Sequence, residues 1–235
     1  MLQASPSPNK LWYLTHIRLF DGLSQAEMQE LERLTRMQAV KKRQPLYLTG
    51  EPSTNVYLLK QGRIKLTKTS PSGKEVTFEI LGPGDILGEL EVLDESPRLT
   101  SAEALDDALL CVMPREAFTQ FLARHPAVTV TLTKLIGLRL RKLQSRVEDL
   151  VFRDVPARLA HFLLELSKTY GVSDGTSIRL RVKLTHQELA NLIGCSRETV
   201  STTLGQFREQ GLIRTEDRAI VILKPDHLTQ LVSSQ

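Results

Sequence analysis

The stretch Leu184–Val200, LTHQELANLIGCSRETV, decides how this chain is read. Thr185 and Glu188 have the spacing of a capping box. The Thr hydroxyl accepts from a backbone N–H of the first turn, and the Glu carboxylate reaches back to the cap. Leu189, Ala190 and Ile193 then recur as the apolar face of a short helix. Gly194 follows where a sharp turn needs positive φ. Ser196 is placed to cap a second helix whose apolar side is Val200, Leu204 and Phe207. Ala190 is small enough to let the two helices approach closely. The pattern predicts a helix-turn-helix. Its second helix carries Arg197, Glu198, Thr199 and Thr202 in its first turns, away from the apolar side. A helix N-terminus with such donors and acceptors suits a DNA major groove. A helical hairpin with a solvated polar face would explain any one of these features. Cap, small residue, turn glycine, second cap and Arg-Glu pair together point to DNA.

Composition is compatible with that reading and excludes others. The 235 residues are 41% hydrophobic and 25% charged, which suits a soluble protein of one large or two ordinary domains. The net charge of +4 is compatible with a nucleic-acid partner without indicating one. Lys41, Lys42 and Arg43 form one basic cluster, and Arg139, Arg141, Lys142 and Arg146 another; acid gathers at Glu89, Glu91, Asp94 and Glu95. The two cysteines, Cys111 and Cys195, lie far apart and read as thiols in a reducing cytoplasm. They are too few for a four-thiolate iron–sulfur cluster. The five histidines show no metal-ligand spacing, so no metal is expected. No apolar run approaches the roughly 20 residues of a membrane span. The polar, Ser/Pro-rich start lacks a signal-peptide core, and residues 1–10 are expected to form a disordered tail.

Along the chain, the texture changes twice. Ser24 caps an expected helix with Met28, Leu31 and Leu34. From Met37 to Val112, short segments predict strands at 45–48, 56–59, 64–67 and 76–80. Gly/Pro turns at 49–52, 61–62, 70–73 and 82–85 separate them, the pattern of a small antiparallel barrel or sandwich. A long helix follows, with Pro126 tolerated at its start. On it Ile136, Leu140, Leu143, Val147 and Leu150 recur at spacings 4, 3, 4, 3. Leu132 and Leu135 are expected to pack on their own domain. The later seam, flanked by charge, predicts the same helix of a second subunit. Asp154 before Val155-Pro156 restarts a helix at a bend. Residues 177–183 alternate like a strand. The segments 212–214 and 219–222 flank Thr215–Arg218 as a hairpin, which makes the module a winged helix-turn-helix. The expected organisation is a sensor domain at 11–124, a dimerisation helix at 125–153 and a DNA-binding domain at 154–235.

In this order the parts resemble the bacterial cyclic-AMP receptor protein / FNR (Crp/Fnr) family over nearly the whole chain. Gly194-Cys195-Ser196-Arg197-Glu198-Thr199-Val200 is similar to the family's recognition helix, Phe152–Val155 with Arg158-Leu159 to its hinge, and Gly82–Leu90 to its effector loop. The resemblance implies an α+β chain: an N-terminal β-roll of cyclic-nucleotide-binding type, a long dimerisation helix and a C-terminal winged helix-turn-helix. It also implies a pocket made by Gly88, Glu89, Leu90, Arg98, Leu99 and Thr100, with Leu143 and Gln144 from the long helix. In nucleotide-binding members the Glu takes a ribose hydroxyl, and Arg with Ser holds the cyclic phosphate. Here Gly88, Glu89 and Arg98 match. Leu99 stands where that Ser would be, and Leu143 and Gln144 stand where two hydroxyl residues would meet adenine. Two readings stay open. Glu89 and Arg98 pair internally as scaffold, or the pocket takes cyclic AMP, cyclic GMP or a non-nucleotide effector.

The expected function is a cytoplasmic homodimeric transcription regulator on a pseudo-palindromic DNA site, with RNA polymerase as the implied protein partner. Arg197 would donate to guanine, Glu198 accept from cytosine, and Thr202 stand at a third base-facing position where the family commonly has a second Arg. Thr185, His186, Gln187, Ser196, Thr199 and Arg218 would meet phosphates. No nucleophile, metal set or phosphate-binding glycine loop supports an enzyme. The competing readings are a ligand-binding module acting on a protein partner and a thiol redox sensor using Cys111 or Cys195.

Overall fold

The computed structural model describes Leu14, residues 17–217 and residues 219–233. The expected tail at 1–10 and Arg218 lie outside the described residues. The chain divides into two compact units, 1–139 and 140–235, and the division falls inside the long helix.

Among its described residues the first unit has eight strands: β1 (Arg36–Val40), β2 (Pro45–Tyr47), β3 (Asn55–Gln61), β4 (Ile64–Thr69), β5 (Glu75–Leu81), β6 (Ile86–Leu87), β7 (Ser101–Ala104) and β8 (Ala108–Pro114). They form two four-stranded antiparallel sheets, ordered β1-β8-β3-β6 and β2-β7-β4-β5. Alternation on β3 and β8 shows how the unit is built. Tyr57, Leu59, Leu110 and Val112 point into a core with Ile64, Leu81, Ala102 and Ala104 of the other sheet. Val56, Leu58, Cys111 and Met113 point the opposite way, onto helices. Both faces of this sheet are therefore covered, so its central strands read as continuous apolar runs. The covering helices are α1 (Gln25–Leu34), which Ser24 caps through a full capping box, α3 (Arg115–Arg124) and the start of α4 (Pro126–Phe152). Between β6 and β7 sits the one-turn helix α2 (Glu89–Leu93).

The second unit begins within α4 and continues through α5 (Val155–Tyr170). Asp154 caps α5 by accepting from the Ala157 N–H at 2.9 Å. A four-stranded antiparallel sheet is formed by β9 (Gly171–Asp174), β10 (Ser177–Leu180), β11 (Ile213–Glu216) and β12 (Ala219–Ile222), in the order β11-β12-β10-β9. The expected strand at 177–183 thus ends at Leu180. The unit also holds the helices α6 (His186–Ile193), α7 (Arg197–Glu209) and α8 (Pro225–Ser233). Leu159, Leu163, Leu189, Val200, Leu204 and Phe207 are buried, which accounts for the apolar spacing on α5, α6 and α7.

Candidate nucleic-acid interface and effector site

The α6-turn-α7 module is assembled by its own short-range bonds. Thr185 Oγ1 accepts from the Glu188 N–H at 3.2 Å, and the Glu188 carboxylate accepts from the Thr185 N–H at 2.6 Å. Gly194 ends α6 at φ 71°, ψ 42°, the left-handed region that a side chain disfavours. A Cβ there would also stand 2.9 Å from Leu150 Cδ2. Ser196 Oγ accepts from the Thr199 N–H at 3.1 Å and starts α7. Arg197, Glu198 and Thr202 are then exposed, while Val200, Thr203 and Leu204 are buried behind them. The Glu198 carboxyl is held below its ordinary value by its own backbone N–H at the helix start and by Ser196. It is therefore an ionised acceptor at neutral pH.

The expected phosphate-facing side chains share this edge but are not equivalent. Thr185, His186, Gln187 and Ser196 are exposed and Thr199 is half-buried. The Gln187 amide donates to Asn191 Oδ1 at 2.8 Å, and Thr199 Oγ1 lies 3.0 Å from Ser196 Oγ. His186 Nδ1 lies 2.7 Å from Ser201 Oγ, a bridge between the two helices that spacing alone does not reveal. On the hairpin, Glu216 pairs with Ala219 and Asp217 has φ 48°. The acidic pair there would repel a phosphate backbone. Arg179 offsets it, donating to Glu216 at 2.9 Å and to Asp217 at 3.4 Å, and Arg214 meets Glu216 at 2.9 Å. Neither arginine was among the expected site residues; Arg179 reaches the hairpin only through the pairing of β10 with β12.

In the first unit, Gly88, Glu89 and Arg98 come together. Arg98 is 2% exposed. Its guanidinium donates to Gly88 O at 2.9 Å, reaches Glu91 Oε2 at 3.5 Å, bonds Asn55 O and lies 4.3 Å from the Tyr47 ring centroid. A Cβ on Gly88, whose φ is 75°, would overlap Arg98 Nη1. The glycine is thus a steric requirement for this arginine. Burial pushes the Tyr47 hydroxyl well above its usual value, which keeps the ring a neutral platform. Glu89 is also 2% exposed, and burial raises its carboxyl while Arg139 opposes that shift. Arg139 Nη1 donates to Glu89 Oε1 at 2.6 Å, and its Nη2 to Ile86 O at 2.5 Å.

The reading in which Glu89 and Arg98 pair as scaffold is therefore corrected. Each buried charge has a different partner, Arg139 for Glu89 and Glu91 for Arg98, because backbone carbonyls and an extra carboxylate surround the two guanidinium groups. Spacing could not identify Glu91 and Arg139, which differ from surface charges only in burial. Leu90 and Leu99 are exposed, Leu99 by 57%, and Thr100 is half-buried. Leu143 and Gln144 belong to the second unit and are exposed on α4. Arg98 Nε is buried without a hydrogen-bond partner. Leu99 supplies no hydroxyl beside Arg98.

On the seam, Ile136 is partly buried against the core of its own unit. Leu140, Leu143, Val147 and Leu150 are 42 to 59% exposed. Cys111 is buried on the helix-facing side of its sheet, Cys195 is half-buried in the turn before α7, and neither forms a disulfide. Among the described residues no group of three or more His, Cys, Asp or Glu side chains is placed to hold a metal ion, and no helix is long and apolar enough to cross a membrane.

Known proteins share this architecture. Residues 37–125 match the family model of the cyclic nucleotide-binding domain, and residues 157–231 that of the Crp-like helix-turn-helix domain. The CRP-like cAMP-activated global transcriptional regulator of Mycobacterium tuberculosis is 31% identical over 92% of this chain and 97% of its own length. The cyclic AMP receptor protein of Thermus thermophilus is 34% identical over 83% of this chain and 88% of its own. The solved structure of a CooA mutant from Carboxydothermus hydrogenoformans superposes with a TM-score of 0.76 at 25% identity, covering 96% of this chain and 97% of that one. The curated relatives are transcription regulators, not enzymes. With both domains matched in this order and relatives above 30% identity along most of its length, the chain belongs to the Crp/Fnr family of DNA-binding transcription regulators.

Proposed function

We propose that this regulator acts as a homodimer on a pseudo-palindromic site, reading each half-site with the first turns of α7. Arg197 donates to guanine O6 and N7, Glu198 accepts from cytosine N4, and Thr202 faces a third base pair. Thr185, His186, Gln187, Ser196, Thr199 and Arg218 set register on the phosphates. The exposure of Arg197, Glu198 and Thr202 on the turn capped by Ser196 carries this reading. The partner subunit covers Leu140, Leu143, Val147 and Leu150. RNA polymerase is the protein partner, and the cytoplasm the site of action. The experiment is selection of bound duplexes from a random pool by the full chain. The expected product is two inverted half-sites centred about one helical turn, roughly 34 Å, apart. Enrichment of a single unrepeated motif would overturn the dimeric reading.

A cyclic nucleotide is the effector class that the first domain suggests. Glu89 would take a ribose hydroxyl and Arg98 the cyclic phosphate. Both are already engaged by protein groups, Leu99 offers no hydroxyl, and Leu143 and Gln144 replace the adenine-facing hydroxyls that the resemblance implies. Cyclic AMP therefore binds weakly, and DNA binding does not depend on it.

A further inference from the structure

Arg98 and the main-chain N–H of Leu99 converge on one carboxylate, that of Glu91. Arg98 Nη1 reaches Glu91 Oε2 at 3.5 Å, and the Leu99 N–H donates to Glu91 Oε1 at 3.3 Å. A guanidinium and a backbone N–H that meet on two oxygens of one anion form an anion-holding arrangement. Here a side chain of the protein itself fills it. Glu91 is 7% exposed and Arg98 2%, so the two charges face each other away from bulk water. A counter-charge alone would need to meet the guanidinium and nothing else. Gly88 O and Asn55 O already accept from that guanidinium, and the Glu91 carboxylate extends past it to Leu99. Both contacts of the carboxylate are at the long end of the hydrogen-bond range, so charge more than bond geometry holds it there. Arg98 Nε stays buried with no hydrogen-bond partner among the described residues, a donor that no protein group uses.

We propose that Glu91 is a resident anion: it occupies the position that a phosphate held by Arg98 would need, and it determines specificity by closing the first unit to anionic ligands. The inference rests on the reading of Arg98 as the phosphate-holding residue. A phosphate brought to Arg98 would lie within a few ångströms of the Glu91 carboxylate, and like charges that close repel strongly where water is excluded. The neighbouring charges do not relieve this. Glu89 precedes Glu91 on α2, and its carboxylate is matched by Arg139. Glu79 meets the same guanidinium, with Oε2 at 3.6 Å from Arg139 Nε. Glu79, Glu89 and Glu91 thus stand against Arg98 and Arg139 before any ligand arrives. A hydroxyl in place of Leu99 would add one donor and leave the repulsion as it is. The charge of Glu91 is therefore the larger obstacle to a phosphate.

The test is calorimetry of the full chain with cyclic AMP, and with adenosine as a probe that has the base and sugar but no phosphate. Glu91→Gln removes the charge and keeps an oxygen that can accept from the Leu99 N–H. It should tighten cyclic AMP binding at least about tenfold, leave adenosine unchanged, and lose the gain when Arg98→Gln is added. Removing the counter-charge of a buried arginine costs stability. A second measurement covers that loss. Cyclic AMP should raise the melting midpoint of Glu91→Gln and leave that of the wild type in place, since a ligand of the folded state stabilises it. Equal gains for cyclic AMP and adenosine would show that the substitution opens space without lifting a repulsion, and would overturn the proposal. A low-micromolar constant in the wild type would overturn it as well. Tighter cyclic AMP binding by Leu99→Ser, with none by Glu91→Gln, would end the role of Glu91 and leave Arg98 as the phosphate holder. No binding and no midpoint shift in Glu91→Gln, with or without Leu99→Ser, would remove the phosphate reading of Arg98 itself.

Discussion

At the first turn of α7, Arg197 and Glu198 stand side by side, exposed and oppositely charged. An arginine that makes two bonds to one guanine loses both when truncated, and each good bidentate pair is worth about 1–3 kcal/mol of discrimination. Arg197→Ala should weaken binding to the selected site by that amount and relax the preference at one G·C pair. Competition binding against duplexes changed at single positions measures it. Equal losses on selected and random DNA would make Arg197 a phosphate contact instead. These residues were legible in the sequence because capping boxes, turn glycines and helix starts are local patterns. Gly88, Glu89 and Arg98 were legible as a set through family resemblance. Their partners were not. Glu91 and Arg139 become buried ion-pair partners only after β6, α2 and the long helix are packed, and no local spacing encodes that.

Helices with capping residues and regular apolar spacing are the elements that sequence predicts well here. α1, α4, α5, α6 and α7 all begin where Ser24, Pro126, Asp154, Thr185 and Ser196 place them. The strand β8 is different. Its run Ala-Leu-Leu-Cys-Val-Met is apolar on both faces because helices cover one side and a sheet the other, so it lacks the alternation that marks a strand. The exposed stripe on α4 has the opposite character: regular spacing with no cover. Leu143→Glu or Val147→Glu would place charge where the proposed partner helix would bury it, which is costly. Sedimentation should then show monomer, with binding to the paired half-sites largely lost. A dimer that survives both changes would place the interface elsewhere. At the bend that follows, Asp149 of α4 meets His161 of α5 at 2.6 Å and pairs with Arg153, which lies 3.2 Å from the same ring nitrogen. Burial first, then the Arg153 guanidinium, pushes His161 below its ordinary value. As pH falls, the unfolded chain therefore takes up the proton before the folded one. The stability of the neutral ring is full above about pH 6.5 and is lost as pH falls through the lower folded value. Urea midpoints should drop with acidification more steeply in the wild type than in His161→Gln. Parallel curves would place the pH dependence on other groups.

At the scale of the whole molecule, the question is how far an effector in the first unit controls the DNA-binding surface in the second. Linkage sets the terms: whatever factor a nucleotide adds to DNA affinity, DNA adds to nucleotide affinity. A ligand of the family type must take Glu89 from Arg139 and share Arg98 with Glu91, Gly88 O and Asn55 O. It would also miss the hydroxyl partners that the family resemblance implies at Leu99, Leu143 and Gln144. A lost hydrogen bond to the charged phosphate costs about 1.5–3 kcal/mol, and one to the neutral adenine about 0.5–1.5 kcal/mol. Losing two moves a micromolar site toward the millimolar range. A ligand held that weakly at working concentration shifts few molecules, and one that makes no difference between two states shifts none. Calorimetry of the dimer with cyclic AMP should therefore give a dissociation constant well above micromolar. Duplex binding should change little with nucleotide present. The reciprocal measurement, nucleotide binding to the DNA complex, must return the same factor, so an error in either arm is exposed by the other. Leu99→Ser, which returns the hydroxyl that the family resemblance implies at this position, should tighten nucleotide binding. A low-micromolar constant in the unmodified chain, together with a large gain in DNA affinity, would show that protein partners around Glu89 and Arg98 yield readily to ligand.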